Sequence, residues 1–235
     1  MSYRWEWDVF LHDTGGGQTY LDWMLSAWGW TLEVAGCAWV VALVLGSIVG
    51  TLRTAPVPAL ARLAKIWVEL FRNIPLLVQI FLWYHVVPAF IEPLKELPSF
   101  VLVVLALGLF TSARVAEQVR AGIESLARGQ GHAGLALGLT LPQTYRYVLL
   151  PMAFRIVIPP LTSEAMNIIK NSSVAFAVSV GELTLFAMQA QEETSRGIEI
   201  YLAVTLLYMS SAFAVNRFMA WLEGRARVPG YLGTH

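Results

Sequence analysis

Charge is scarce in this chain. Of its 235 residues only 14% are Asp, Glu, Lys or Arg, 57% are hydrophobic, and the mean hydropathy is +0.59. A soluble domain carries about a quarter charged residues, so an ordinary soluble domain is excluded and an integral membrane protein is indicated. Cysteine is almost missing. Cys37, inside an apolar run, is the only one. That excludes a disulfide framework or a cysteine-based metal cluster, and it suits a small buried apolar residue. The four histidines, His12, His85, His132 and His235, are scattered. There is no GxxxxGK[ST] phosphate loop, no HExxH and no G-x-S-x-G, so the chain is expected to be no enzyme and to need neither metal nor cofactor. A secretory signal is missing too. The segment before Trp23 holds Glu6, Asp8, Asp13 and Asp22 against Arg4 alone and has no apolar core, so the first apolar span is expected to be an uncleaved anchor. No internal repeat or low-complexity segment is visible.

What the chain does have is apolar length. Five spans are expected, at about residues 28–52, 74–91, 100–123, 155–180 and 201–221, each of a length to cross about 30 Å of hydrocarbon. Trp23, Trp28 and Trp30 suit an interface belt at the start of the first span. Within that span Glu33 sits at interface depth, and Gly36, Gly46 and Gly50 permit close helix packing. Pro56 and Pro58 break the helix after it. Ile66–Arg72 reads as an interfacial helix, and Pro75 opens the second span. The fourth span is expected to kink at Pro159–Pro160 and to break at Lys170–Ser173. Residues 91–99 and 182–199 read as connections.

Basic residues fall on one side of this topology. The first-to-second and third-to-fourth connections and the C-terminal tail hold Arg53, Arg62, Lys65, Arg72, Arg114, Arg120, Arg128, Arg146, Arg155, Arg217, Arg225 and Arg227. The other side holds Arg4, Lys95 and Arg196 among many acids. Positive charge stays in the cytoplasm, so the N-terminus is expected outside and the C-terminus inside.

The longest interruption of apolar sequence, Ala113–Pro151, is therefore cytoplasmic. An apolar helix at Ala133–Leu137 is expected to end at Gly138 in a left-handed cap. Thr140 is placed to cap a second short helix, with Pro142 in its first turn. Two such helices between spans suit a docking knob for a partner protein, in the helix-in-groove mode.

These residues carry a resemblance. His132–Gly138 (HAGLALG), nine further residues, and Val148–Pro151 (VLLP) resemble the signature loop of ABC-importer permeases: Glu-Ala-Ala, three residues, Gly, nine residues, Ile, one residue, Leu-Pro. Ala133, Gly138, Leu150 and Pro151 match it, Val148 stands for Ile, His132 replaces the Glu, and Gly134 an Ala. Glu117, Arg120, Gly122, Ser125, Gly129 and Gln130 agree upstream. Val68–Gln79 (VELFRNIPLLVQ) is similar to the polar-amino-acid branch. ELFRNIP, FTSARVAEQVR, LTLPQTYRYVLLP and KNSSVA together resemble permease subunits for glutamate and aspartate. The resemblance covers roughly residues 28–222.

It implies an all-α type I importer permease fold, one transmembrane domain over residues 1–235 with its core at 28–222 and a cytoplasmic coupling loop at 124–155. It implies a bacterial inner-membrane protein that works with a second homologous permease, two copies of an ABC ATPase subunit and a periplasmic substrate-binding protein in a lipid bilayer, with no nucleic acid. ATPase coupling would fall to Gly129, Gln130, His132, Ala133, Gly134, Gly138, Leu150 and Pro151. The substrate pathway would include Arg114, Glu117, Glu164, Lys170, Asn171 and Ser172. Relatives for other polar amino acids commonly have Tyr at the Arg114 position and Lys-Asp-Thr-Ser where Lys170–Ser173 stands, and both departures suit an acidic substrate. Arg114 and Glu117, or Glu117 and Arg120, also suit a structural ion-pair ladder, and Glu164 a pair with Lys170. Val68–Pro75 fits an interfacial anchor or a mechanical support for the docking loop. His132 fits a pH-sensitive docking contact or a plain exposed residue. An importer for glutamine or histidine, a secondary transporter and a membrane scaffold remain as alternatives.

Overall fold

The computed structural model describes residues 3–226, and of Arg128 the backbone alone. Arg227 and His235 lie outside the described residues. A 3-10 turn at Trp7–Leu11 precedes α1 (Tyr20–Thr54), α2 (Pro58–Asn73) and α3 (Leu76–Phe90). Then come α4 (Ser99–Glu124), α5 (Arg128–Ala136), α6 (Leu141–Thr144), α7 (Leu150–Ser172), α8 (Leu183–Thr194) and α9 (Gly197–Ala226). The only extended pairing among the described residues is an isolated bridge, Asp13 to Thr19. The fold class is all-α, as expected.

Among the described residues four stretches are long and apolar enough to cross a membrane: α1, α4, the helical run Leu141–Val178, and α9. A fifth exists only if α2 and α3 are taken together as one bent pair. Alone, α3 is about 22 Å long at 1.5 Å per residue, short of the hydrocarbon thickness. It widens into a π-helical turn at Leu82–Val86, and a second such turn occupies Tyr145–Leu149. Each lies just before a proline, Pro88 or Pro151. A proline ring crowds the carbonyl four residues back and offers no N–H to it, and a wider turn relieves that crowding. Pro159 and Pro160 lie inside α7.

The described chain forms two compact units. The first is drawn from Met1–Val41, Ile74–Gly108 and Asn167–Phe213. Val9, Phe10, Tyr20, Met24 and Ala27 pack there with Leu183, Phe186, Ala187, Ala190, Ile200 and Val204. The polar N-terminal tail is thus built into a core. Its edge is tied down by Tyr3, whose hydroxyl donates to Glu199, by the Glu6 N–H, which donates to Glu199 Oε1 at 2.9 Å, and by a Glu6–Arg196 ion pair. Residues 182–199, read as a connection, contain α8. Glu182 caps it, accepting from the N–H groups of Thr184 at 2.9 Å and Leu185 at 3.0 Å and from the Tyr208 hydroxyl at 2.6 Å. Glu182 lies outside the spanning helices. Burial pushes its carboxyl above the usual carboxylate range, against the pull of those three donors.

The second unit is drawn from Ala42–Asn73, Leu109–Met166 and Ala214–His235. Here α1 meets α4 through glycine. A Cβ on Gly46 would lie 2.5 Å from that of Val115, and one on Gly50 would lie 2.6 Å from the Ala116 carbonyl oxygen. The absent side chains let the two backbones touch. Val49, Ala64, Val68, Ala113 and Ala116 form the adjoining core. Cys37, expected to be buried, is exposed: on α1 it faces away from the packed surface that Val34 and Ala38 occupy.

Candidate functional site

The loop at 124–155 belongs to the second unit. Its geometry follows from local chemistry. The helix α5 starts at Arg128, five residues earlier than the apolar pattern alone marks, and its end is a complete Schellman arrangement. Gly138 sits at φ +84°, its N–H donates to Leu135 at 3.0 Å, and the Leu139 N–H donates to Gly134 at 3.1 Å. Thr140 then adopts extended backbone before α6, Pro142 occupies the first turn, and Gln143 Oε1 accepts from the Thr140 N–H at 2.8 Å.

Gly134 stands where the permease pattern has Ala, and the contact explains it. A Cβ there would lie 2.8 Å from Thr144 Cγ2, so α5 and α6 pack more closely than alanine allows. Thr144 is buried, whereas His132, Ala133, Leu135, Leu137 and Leu141 are exposed. Leu137 is 83% exposed, which leaves an apolar edge on the loop without cover among the described residues. Leu150 and Pro151 open α7. Tyr145, which sequence reasoning passed over, donates to the Thr54 carbonyl at 2.7 Å and joins the loop to the end of α1. A tyrosine between two proline-marked helix starts was the available signal.

The charged residues of α4 pair as expected at Glu117 and Arg120 and differently at Arg114. Glu117 does not take Arg114. It is held by Arg53 and Arg120, and Arg120 also reaches Glu124. Residues three and four apart on a helix make part of that ladder; the rest depends on α1 reaching Glu117. Arg114 instead lies 3.9 Å from Glu164 Oε1 and 5.3 Å from the Phe110 ring centroid. Arg114 is half exposed, Glu164 is nearly buried, and Glu164 Oε2 has no hydrogen-bond partner among the described residues. The expected Glu164–Lys170 pair is therefore replaced by Glu164–Arg114. A guanidinium that is half free, beside a carboxylate with an unused oxygen, can accept an anionic group on one side and a cationic group on the other.

Lys170, Asn171 and Ser172 belong to the first unit. Lys170 is exposed with no ion pair among the described residues, and Ser172 is buried, its hydroxyl donating to Ile169 O at 2.7 Å. The helix runs unbroken through Lys170 to Ser172 and tightens to 3-10 only at Ser173–Val178. That is later than the polar residues suggest, because the Ser172 hydroxyl turns back onto its own helix. No cluster of metal-ligating side chains occurs among the described residues.

Comparison with known proteins follows the same line. Residues 42–228 match the family model for the binding-protein-dependent transport system inner membrane component. The chain is 43% identical to the glutamate/aspartate import permease protein GltJ of Escherichia coli (strain K12) over 244 aligned positions, 99% of each chain. It is 33% identical to a probable amino-acid ABC transporter permease protein, PatM, of Vibrio harveyi, covering 86% of this chain and 91% of that one. A solved structure of an amino acid ABC transporter with histidines superposes with a TM-score of 0.76 at 28% identity, over 88% of this chain and 95% of that one.

Proposed function

The chain belongs to the family of inner-membrane components of binding-protein-dependent transport systems, and from that premise we propose that it is the permease subunit of an ATP-driven importer of glutamate and aspartate. The observation that carries the substrate is the 43% identity, along 99% of both chains, with a permease of that specificity. The chain itself is not the ATPase; hydrolysis belongs to separate subunits of such systems.

The importer would hold this chain beside a second, homologous permease, two ATPase subunits inside and a substrate-binding protein outside. The charge asymmetry supports an N-terminus outside and a C-terminus inside. The loop residues Gly129, Gln130, His132, Ala133, Gly134, Gly138, Leu150 and Pro151 would couple to the ATPase. Its exposed edge at Leu135 and Leu137 would lie in an apolar groove of that subunit. Closure of the ATPases would then move the loop together with α4 and α7, which flank it. Arg114 and Glu164 are the core of the proposed substrate pathway, Arg114 taking a carboxylate. Lys170, Asn171 and Ser172 would belong to it as well, and Glu117 would act through the ladder that positions α4.

The test is uptake of labelled amino acids in cells that lack their own acidic amino-acid importers and express this chain with its partner subunits. Glutamate and aspartate should be taken up and compete with one another, and glutamine and histidine should not compete. Uptake of glutamine or histidine in preference to glutamate overturns the substrate assignment. Uptake that persists with an ATPase subunit unable to hydrolyse ATP overturns the importer.

A further inference from the structure

The helix α2 has three faces, and two of them have no partner among the described residues. One face is protein-facing: Ala64 and Val68 are buried, and Trp67 donates to Ser112 Oγ at 3.2 Å. A second face is apolar and bare, with Leu63, Ile66 and Leu70 each more than half exposed. At 100° per residue those three fall on one stripe. Between the two runs a polar stripe, Arg62, Lys65, Glu69, Arg72 and Asn73. Apolar and basic surface side by side along one helix is the pattern of a helix lying in a membrane interface.

The polar stripe leaves cationic charge over. Glu69 is matched by Lys65 at 3.5 Å, and Glu117, which faces the same space, is held by Arg53 and Arg120. Arg62 and Arg72 have no ion pair among the described residues, and both are exposed. Beside Arg72 opens a cavity of about 190 Å³, lined by Arg53, Lys65, Glu69, Arg72, Asn73 and Glu117 among others. Arg72 and the Asn73 amide give it free donors. A guanidinium fork matches the oxygens of a phosphate.

We infer that α2 and this cavity form a binding site for an anionic phospholipid, its phosphate held by Arg72 and its acyl chains lying along Leu63, Ile66 and Leu70. A free phosphate would use the cavity and leave the apolar stripe bare. A lipid occupies both, and the two surfaces are continuous on one helix. The inference rests on the chain being in a membrane and on this helix alone, so it stands or fails independently of the transported substrate.

The full chain, purified in detergent with equal amounts of phosphatidylglycerol and phosphatidylcholine, is to be weighed intact with its retained lipids. One unpaired cation at a headgroup contributes on the order of 1 kcal/mol, so phosphatidylglycerol should be retained roughly fivefold over phosphatidylcholine. Arg72→Gln should remove that preference, and Arg72→Lys should keep most of it. Lys95→Gln, far along the chain on the opposite side by charge, should leave it unchanged. Equal retention of the two lipids overturns the proposal, as does a preference that survives Arg72→Gln. Loss of bound phosphatidylglycerol on adding millimolar inorganic phosphate assigns a free-anion site and overturns the lipid. A two-chain mass without lipid, abolished by Leu63→Ser with Leu70→Ser, assigns the face to a second copy instead.

Discussion

Gly138 and Arg114 show how differently a single residue can act here. A Cβ on Gly138 would meet no atom within 4 Å, so an alanine there is opposed by its backbone angle alone. The left-handed region costs a non-glycine residue about 1 kcal/mol. Gly138→Ala should therefore lower the melting temperature slightly and leave much of the transport. Gly138→Asp adds a charge beside the exposed Leu137 and should abolish transport while leaving membrane insertion intact. Uptake and membrane-fraction yield, measured on both variants, check the pair. Arg114 acts through what it reaches. A charge-assisted fork to a substrate carboxylate is worth roughly 1.5–3 kcal/mol, so Arg114→Tyr should cut glutamate uptake at least about tenfold and neutral amino-acid uptake much less. If Arg114 served only Glu164, all substrates would lose equally and Glu164→Gln would restore them.

Among the elements, the α1–α4 contact tolerates little added bulk. Gly50 faces backbone, the Ala116 carbonyl, rather than a flexible side-chain end. Gly50→Val should cost about 1–3 kcal/mol by overpacking, read as a lower melting temperature in detergent, and Gly29→Val, with open space around it, should cost little. The cap of α8 carries a pH signature. The folded Glu182 carboxyl lies above its ordinary value through burial. Its contribution to stability is therefore full below the ordinary carboxylate pKa and is lost as pH rises through the raised folded value. Glu182→Gln removes the titrating group, so the melting temperature of that variant should fall less than the wild type's from about pH 4 upward. An equal slope for both would show that the carboxyl does not titrate in that window.

Across the molecule, what could be read from residues alone was whatever is set locally. Gly138, Thr140 and Pro142 mark helix ends by their own backbone preferences, so the short helices of the loop follow from the sequence around them. The pairing of Glu117 with Arg53 was not legible, because it depends on the register of α1 against α4, and that register is fixed by Gly46 and Gly50, which carry no side chain. The helix α8 was missed because Gln191, Glu192 and Glu193 at its end read as a loop, although Glu182 ahead of Leu183 has the form of a helix start. The packing of the N-terminal tail was not legible because its anchor, Glu199, lies 196 residues away from Tyr3. That separation orders events during synthesis. At about 5–20 residues per second, roughly ten to forty seconds pass between the emergence of Tyr3 and that of Glu199. The segment around Tyr3 is therefore made well before the residue that holds it, and its latch cannot close until Glu199 has been made. Stalled chains ending before Glu199 should be cut by protease near Trp5–Trp7, and full-length chains should resist. Equal cutting of both would show that the latch does not hold the tail.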